Sequence, residues 1–275
     1  AGGARPGLVV GEGVIDLGRQ HDGFGSIMEI VRGGRQALAR LATLANAAPD
    51  HRLAEVRLLA PIERPGKYLA IGMNFRKHVK EAEEVGVPPP TIQFWFNKQT
   101  SCLAGPYDTI RMGVTEKLDY EVELGVVIGE PAKGVTASRA RDHVFGYFVA
   151  NDVSARDWQF HSPTFTVGKS FDTHGPIGPW IVTADEIPDP QNLALRCLVN
   201  GELRQSSNTR EMIHDIAAQI EYLSTAFTLE SGDLLATGTP EGVGIAMKPP
   251  AFLKAGDRVR CEIDGIGAIE NLVSE

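Results

Sequence analysis

Residues 118–129 read LDYEVELGVVIG, an apolar stretch interrupted by two glutamates, Glu121 and Glu123. In a β-strand, residues i and i+2 point to the same face, so both carboxylates would project side by side while Val122 and Leu124 face the other way. Two carboxylates this close repel each other, and one keeps its proton unless a cation intervenes. The acids alone would fit an exposed strand with solvated charges, but the apolar neighbours on both faces favour a buried strand that holds a cation.

A third carboxylate follows the next strand that the sequence predicts, GYFVAND (146–152), which ends at Asp152. Three carboxylates converge if this strand lies beside the first. Oxygen ligands favour a hard cation such as Mg²⁺ or Mn²⁺, with Ca²⁺ as a further candidate, and the lack of a nearby Cys or His ligand argues against zinc. Three protein oxygens leave coordination positions for water or substrate.

The composition is that of an ordinary globular protein. The 275 residues are 43% apolar and 23% charged, with a net charge of −8. There is no block of Lys or Arg and no apolar run of about 18 residues, which argues against nucleic acid and membranes as partners. The first residues lack the features of a signal peptide, and the three scattered cysteines indicate reduced thiols. We therefore expect a cytoplasmic protein.

The chain divides into two regions of different texture. Residues 1–60 are rich in Ala and Leu and contain a helical stretch, GGRQALARLATLANAA (33–48). A proline-containing linker, APIERPGK (60–67), leads into residues 61–275, where short β-like runs are separated by Gly and Pro. The sequence predicts a small N-terminal region and a larger domain of the α+β class, mainly β, whose short strands form a closed or rolled structure.

Local patterns predict further strands and turns in the larger domain. Three alternating or apolar runs predict strands, namely KYLAIGMNF (67–75), EVELGVVIG (121–129) and HVFGYFVAND (143–152). Asn-Gly at 200–201 and Asp-Gly at 264–265 each follow an alternating run, and both predict a β-hairpin.

Two segments of the larger domain predict helices. Residues 136–144 are expected to form a short helix with Thr136 or Ser138 as its cap. Residues 209–227 carry apolar side chains at helical spacing, which predicts one amphipathic helix over the whole segment.

Five separated motifs resemble those of the fumarylacetoacetate hydrolase family, in the same order and at similar spacing. They are IGMNFRKHVKE (71–81), LDYEVELGVVIGE (118–130), GYFVANDVSARDWQ (146–159), GKSFDTHGPIGPW (168–180) and GDLLATGTPEGVG (232–244). The resemblance runs from residue 61 to the end of the sequence. It implies a mixed β-sandwich roll, a divalent metal, usually Mg²⁺ or Mn²⁺, and chemistry on 2-oxo acids or β-diketones.

Carried over residue by residue, the resemblance assigns roles to nine side chains. The metal ligands fall on the three carboxylates that the strand argument also selects, Glu121, Glu123 and Asp152. The catalytic residues fall on His78, Glu81 and Lys169. The substrate-binding residues fall on Arg156, Gln159 and Thr239.

Each type of side chain suits its implied role, although each also has a plainer interpretation. Glu81, three residues after His78 on a lid-like helix, would fix the tautomer of the imidazole and raise its basicity. The ammonium of Lys169 would stabilise a developing oxyanion. Arg156 would clamp a carboxylate unless it serves a structural ion pair. The hydroxyl of Thr239 and nearby backbone N–H groups would hold a substrate carboxylate unless the turn merely joins two strands.

These assignments predict a divalent-metal-dependent hydrolase that cleaves a C–C bond in a 2,4-dioxo acid, such as an acylpyruvate, or in a β-diketone, through an enolate that the metal stabilises. An isomerase or decarboxylase of a 2-oxo acid would use the same centre without an attacking water, and a metal-stabilised binding protein is a third alternative. The presence of both His78 and Glu81 favours hydrolysis. The resemblance also implies a homodimer that acts on a small molecule, for example in aromatic catabolism.

The sequence departs from the family pattern around the expected pocket. FWFNKQTSC (94–102) has an extra aromatic residue and an Asn-Lys-Gln run where F-x-K-P is frequent. Phe165 stands where Trp is frequent, and PPPTIQFW (88–95) makes the approach stiff and apolar. These differences bear on the substrate tail and not on the metal.

Overall fold

The computed structural model describes residues 3–19, 23–84 and 86–275. Its strands are β1 (Gly7–Val10), β2 (Gly13–Asp16), β3 (His51–Arg52), β4 (Tyr68–Gly72), β5 (Phe94–Asn97), β6 (Leu103–Ala104), β7 (Ile110–Arg111), β8 (Leu118–Asp119), β9 (Val122–Ile128), β10 (Val144–Asn151), β11 (Ser154–Ala155), β12 (Gly175–Thr183), β13 (Ala194–Val199), β14 (Glu202–Asn208), β15 (Leu234–Ala236), β16 (Arg258–Ile263) and β17 (Gly267–Ser274). Its α-helices are α1 (Ile27–Leu44), α2 (Arg76–Glu84), α3 (Arg156–Gln159) and α4 (Ile216–Ala226). Short 3₁₀ helices lie at Leu53–Glu55, Thr100–Cys102, Ala137–His143, Thr209–Glu211 and Gly244–Ala246.

Strand β9, which carries the opening motif, lies in the middle of the largest sheet. That sheet has the strand order β5-β4-β15-β9-β10-β12-β6, with both parallel and antiparallel neighbours. A five-stranded sheet, β14-β13-β16-β17-β7, faces it, with β13 against β9 and β16 against β10. Two small sheets, β11-β8 and β1-β2-β3, complete the described strands. The predicted α+β class with a mixed β-sandwich roll is confirmed.

Both faces of β9 are covered, which explains why its sequence is apolar on both sides. All seven of its residues are buried. Leu124 and Val126 join a core cluster between the two large sheets that includes Leu195 from β13. Val127 points the other way, into a second cluster that includes Phe148. Burying each of these side chains contributes about 1.5–3 kcal/mol, so the strand is fixed in the centre of the fold.

The N-terminal region shares a core with the larger domain. Ile15 from β2 and Ile30 from α1 belong to the same buried cluster as Tyr68 and Phe148. The division of the chain after residue 60 stays a prediction, as does the homodimer that the resemblance implies.

The two predicted hairpins are present, and their turns have the expected backbone. Asn200 and Gly201, between β13 and β14, both have positive φ, at 53° and 81°. Asn and Gly adopt this left-handed region at the lowest cost, and two such residues in succession match the twist of the flanking strands. Gly265, between β16 and β17, has a φ of 77°.

The prediction of one helix over 209–227 is wrong in its first half. Helix α4 begins only at Ile216, where the side chain of Asp215 accepts a hydrogen bond from the backbone N–H of Ala218 at 2.7 Å. The preceding residues are held elsewhere, because the N–H of Ile213 donates to the carbonyl of Asn74 at 2.7 Å. Long-range pairing therefore overrides the helical spacing of the apolar side chains.

Two other helices differ from the sequence-based expectation. Helix α1 starts six residues before the predicted stretch, because Ser26 accepts from the backbone N–H of Glu29 and caps it there. It is interrupted at Gly34, which has a φ of 48°. The segment after Thr136 is a 3₁₀ helix, and the side chain of Thr136 does not cap it, since the N–H of Ala137 donates to Glu221 instead.

The three cysteines are buried and free, as the sequence predicted. Cys197 and Cys261 face each other across β13 and β16. No helix in the described ranges is long and apolar enough to cross a membrane.

Candidate active site

Three buried carboxylates meet where β9 begins and β10 ends. Glu121 immediately precedes β9, Glu123 lies within it, and Asp152 immediately follows β10. The strands are antiparallel, with Ala150 opposite Glu123, so the start of one strand lies beside the end of the other. One oxygen from each carboxylate lies within 4.8 Å of the other two. We call these three residues the carboxylate triad.

Two buried lysines neutralise part of the charge of the triad. The Nζ of Lys169 lies 2.6 Å from Oε2 of Glu121 and 2.8 Å from Oδ2 of Asp152. The Nζ of Lys98 lies 2.5 Å from Oδ1 of Asp152 and also donates to the carbonyl oxygens of Lys169 and His174. Burial favours the neutral form of Lys98, but the charge and hydrogen bond of Asp152, with smaller contributions that include Glu121, together outweigh it and raise the pKa of that amine, so the side chain is charged.

Sequence reasoning missed Lys98, although a signal for it exists. Phe96, Asn97 and Lys98 preserve the F-x-K part of the family motif, and only its last position differs, with Gln99 in place of Pro. The lysine of this motif is therefore present, at residue 98. Lys98 immediately follows β5, and this position says nothing of Asp152, because 54 residues separate the two partners.

The two glutamates of the triad have opposite electrostatic environments. Burial alone would raise the pKa of Glu121, but the positive charges of Lys169 and Arg156 lower it to about 2. Burial, followed by the charges of Asp152 and Glu121, raises the pKa of Glu123 well above its ordinary value. In the metal-free protein these surroundings favour the protonated form of Glu123.

This donor set fits a divalent metal. Glu121, Glu123 and Asp152 would hold it through oxygen atoms, which suits Mg²⁺, Mn²⁺ or Ca²⁺. Glu123 is the member of the triad that makes no ion pair with Lys98 or Lys169, and it is also the one whose proton a cation would replace. Its second oxygen is fixed, since Oε2 accepts the backbone N–H of Gly238 at 2.8 Å.

The raised pKa of Glu123 predicts that cation binding is linked to pH. Because the proton and the cation compete for this carboxylate, Mn²⁺ affinity is expected to rise about tenfold per pH unit below that pKa and to level off above it. Titration calorimetry in buffers of different ionisation enthalpy would measure the expected release of a proton on binding. Affinity independent of pH, with no proton released, would contradict the linkage.

Arg156 and Gln159 lie together at the start and end of α3, and Arg156 is occupied by protein partners. Its Nε donates to Asp119 at 2.8 Å, its Nη2 lies 2.7 Å from Oε1 of Glu121, and its Nη1 donates to Oε1 of Gln159 at 2.9 Å. These contacts match the ion-pair alternative for Arg156. The amide nitrogen of Gln159 donates to no group in the described part of the chain, which leaves a donor for a ligand. Both substrate-binding roles stay predictions.

Asp119 is a second residue that sequence reasoning missed. It is fully buried, and its carboxylate accepts the backbone N–H groups of Gly244 and Ile245 at 2.8 and 3.0 Å in addition to the contact with Arg156. Asp119 lies two residues before Glu121, so the alternation that marked the two glutamates extends to it. Its hydrogen bonds connect the start of the motif at residues 118–129 to the 3₁₀ helix Gly244–Ala246.

The predicted pair on the lid-like segment forms on α2. The Nδ1 of His78 lies 3.0 Å from Oε2 of Glu81, and Oε1 of Glu81 accepts the backbone N–H of Gly242 at 3.0 Å. His78 lies close enough to Glu121 that a positive charge on its ring lowers the pKa of that carboxyl. Helix α2 therefore lies beside the triad. The lid helix is thus in contact with the loop that carries Thr239.

The hydroxyl of Thr239 is engaged with the protein. It donates to the carbonyl of Val122 at 3.0 Å and accepts from Gln205 at 2.9 Å. Its backbone N–H makes no hydrogen bond within the described ranges, so this amide is the donor left for a carboxylate. The role of Thr239 in binding substrate stays a prediction.

Comparison with known proteins gives one family and several close structures. The model for the C-terminal domain of fumarylacetoacetate hydrolase matches residues 67–274. A mitochondrial oxaloacetate tautomerase of Xenopus laevis is 46% identical over 269 residues, which is 96% of this chain and 83% of that protein.

Two solved hydrolases cover almost the whole chain. A fumarylacetoacetate hydrolase of Exiguobacterium antarcticum has a TM-score of 0.83 and 37% identity, covering 98% of this chain and 95% of that one. A maleylpyruvate hydrolase of Sphingobium, solved with manganese(II) and pyruvate, has a TM-score of 0.82 and 31% identity, covering 99% and 97%. The manganese of that relative supports a divalent metal here. The Xenopus relative is named as mitochondrial, so the cytoplasmic location of this chain stays a prediction.

Proposed function

Because the chain belongs to the fumarylacetoacetate hydrolase family, we propose that it is a divalent-metal-dependent enzyme that acts on an enolisable 2-oxo acid. The observation that carries this proposal is the carboxylate triad, buried beside a histidine whose partner carboxylate fixes its orientation. When bound, the cation supplies a Lewis acid that polarises the 2-oxo group and stabilises negative charge on its oxygen.

The reaction proposed first is the interconversion of the oxo and enol forms of a short 2-oxo diacid such as oxaloacetate. In the direction of the enol, Nε2 of His78 takes a proton from the carbon beside the 2-oxo group, and the electron pair of that C–H bond forms the C=C bond. The former carbonyl oxygen then takes up a proton, so no water is consumed. The name of the 46% identical Xenopus relative supports this choice.

The geometry around His78 suits a base. The carboxylate of Glu81 accepts a hydrogen, so Nδ1 carries the proton and Nε2 keeps a lone pair. Lys169, whose ammonium is fixed by two members of the triad, adds positive charge where an oxyanion develops.

Hydrolysis of a 2,4-dioxo acid is the second candidate, and it is the reaction that the sequence placed first. Water adds to the 4-oxo carbon while His78 takes a proton from it, and the bond between carbons 3 and 4 breaks. The electron pair goes to carbon 3 as an enolate, which regains the proton, leaving a carboxylic acid and a 2-oxo acid. The maleylpyruvate hydrolase in complex with pyruvate supports this alternative.

A panel of substrates separates the two reactions. Metal-stripped protein would be given Mn²⁺ or Mg²⁺, then enol oxaloacetate, acylpyruvates and simple β-diketones, with absorbance of the enol and product mass as readouts. Faster loss of the enol at unchanged mass supports tautomerisation, whereas a carboxylic acid plus pyruvate supports hydrolysis. Loss of CO₂ would indicate a decarboxylase, and no turnover with either cation would contradict both proposals.

Replacing His78 with Ala is expected to lower turnover by about 10²–10⁴-fold, the usual contribution of a positioned acid or base. Mn²⁺ affinity should stay unchanged, because His78 is not in the triad. Half-buried His143, whose Nδ1 lies 3.1 Å from the carbonyl of Glu130, offers a control, and His143→Ala should behave like wild type. Full activity of His78→Ala would remove the base from the scheme.

A further inference from the structure

Gln205 reaches from the five-stranded sheet into the candidate active site. It lies on β14, is only 1% exposed, and makes three hydrogen bonds. Its Oε1 accepts the backbone N–H of Val122 at 2.9 Å. Its Nε2 donates to Oγ1 of Thr239 and to the carbonyl of Pro240, both at 2.9 Å. One side chain thus joins β14 to β9 and to the loop after β15, which lie far apart in the sequence.

These bonds close a ring around Val122, the residue between the two glutamates of the triad. Gln205 binds the N–H of Val122, and the hydroxyl of Thr239, which Gln205 also binds, donates to the carbonyl of Val122 at 3.0 Å. Both backbone groups of Val122 are therefore fixed by partners outside its sheet. The N–H of Val122 belongs to the peptide group that joins it to Glu121, and its carbonyl belongs to the peptide group that joins it to Glu123, so these bonds act on both links between the two glutamates.

The loop of residues 238–242 is fixed by the same arrangement. At one end Gly238 donates to Glu123, and at the other Gly242 donates to Glu81 on the lid helix. The loop also lies directly on β14, because a Cβ added to Gly242 would stand only 2.1 Å from the carbonyl oxygen of Arg204. Gln205 therefore binds the residue between the two glutamates and also the loop that contacts Glu123 at one end and the lid helix at the other.

We propose that Gln205 is a positioning residue that holds the carboxylate triad and the 238–242 loop in one geometry, so that both cation affinity and ligand binding depend on it. This inference rests on the proposed metal centre. Residues that orient metal ligands without touching the metal commonly change affinity by about 10–100-fold when they are replaced. Gln205 does so through backbone groups, which is why no metal-ligand pattern in the sequence points to it.

The test uses two substitutions of Gln205 and one matched control. Gln205→Met keeps the length of the side chain but removes all three bonds, whereas Gln205→Glu keeps an acceptor for Val122 and loses the amide donor to the loop. The control is Asn271→Leu on β17 of the same sheet, since Asn271 is fully buried and donates to the carbonyls of Gly105 and Asp108.

The readouts are the Kd of Mn²⁺ for the metal-stripped protein and the Kd of pyruvate for the Mn²⁺-loaded protein, both by calorimetry. Gln205→Met is expected to weaken both by about 10–100-fold. Gln205→Glu should weaken pyruvate binding more than Mn²⁺ binding, and Asn271→Leu should lose thermal stability while both constants stay at the wild-type value.

The outcomes separate this inference from the proposed function. If wild type binds Mn²⁺ and Gln205→Met or Gln205→Glu matches it in both constants, the positioning role is wrong and the metal centre stands. If Asn271→Leu loses as much affinity as Gln205→Met, the effect is one of general stability and the inference is overturned. If wild type itself binds no Mn²⁺, the metal centre and this inference both fail. Should Gln205→Met not fold, the two constants of Gln205→Glu decide alone.

Discussion

Replacing Glu123 with Gln is expected to abolish tight Mn²⁺ binding and to lower metal-dependent turnover by about a thousandfold. A cation at the triad contributes several kcal/mol of charge stabilisation to the reaction, and about 4 kcal/mol corresponds to three factors of ten in rate. Of the three positions, Glu123 should affect Mn²⁺ affinity most, because neither Lys98 nor Lys169 pairs with it and only the cation would balance its charge.

The loss should not come from unfolding. The raised pKa of Glu123 favours the neutral form of this side chain in the metal-free protein, and Gln imitates that form in size and charge. The Gln carbonyl can still accept the N–H of Gly238. A carboxyl whose pKa is raised on folding costs stability as the pH rises above its ordinary pKa, and Gln carries no such cost, so we expect the metal-free variant to be at least as stable as wild type at neutral pH.

A buried carboxylate elsewhere on the same sheet provides the control. Asp233, just before β15, is fully buried and lies 2.7 Å from the Nζ of Lys67. Asp233→Asn should lower stability and leave the Mn²⁺ affinity of the folded protein unchanged. Wild-type turnover in Glu123→Gln, measured after metal stripping and addition of Mn²⁺, would refute the metal centre.

Replacing Lys98 with Met is expected to lower the free energy of unfolding of the metal-free protein by about 3–5 kcal/mol, the usual cost of removing one partner from a buried ion pair. The side chains of Lys98 and Asp152 are both fully buried, so water cannot replace the lost partner. The carbonyl oxygens of Lys169 and His174 lose their donor at the same time.

Saturating Mn²⁺ should narrow this difference, because a cation bound to Asp152 restores part of the missing positive charge. Lys67→Met is the matched comparison, since Lys67 also pairs with a buried aspartate but is 28% exposed and lies away from the triad. Its smaller loss of stability should not depend on Mn²⁺. Denaturant unfolding with and without Mn²⁺ measures both variants, and an equal response of the two to Mn²⁺ would contradict the role given to Lys98.

The sequence by itself determined the β-rich core and the pairing of two members of the triad, whereas the approach of Asp152 depended on β10 lying beside β9. Alternation with a period of two placed Glu121 and Glu123 together, and Asn-Gly at 200–201 predicted a hairpin because these residues tolerate positive φ. The apolar neighbours on both sides of β9 predicted burial. These features depend on neighbours in the chain, so they can be recognised without a structure.

Only the tertiary structure decided which partners the charged and polar side chains find. Arg156 is committed to Asp119 and Glu121, Lys98 binds Asp152, and the residues before α4 are held by Asn74 instead of continuing the helix. Gln205 meets Val122 across 83 residues of sequence. Such contacts arise when two sheets pack face to face, and local periodicity carries no information about which residues then lie opposite each other. The physical reason is that local geometry is set by adjacent residues, whereas the pairing of a buried charge is set by distances that exist only in the folded chain.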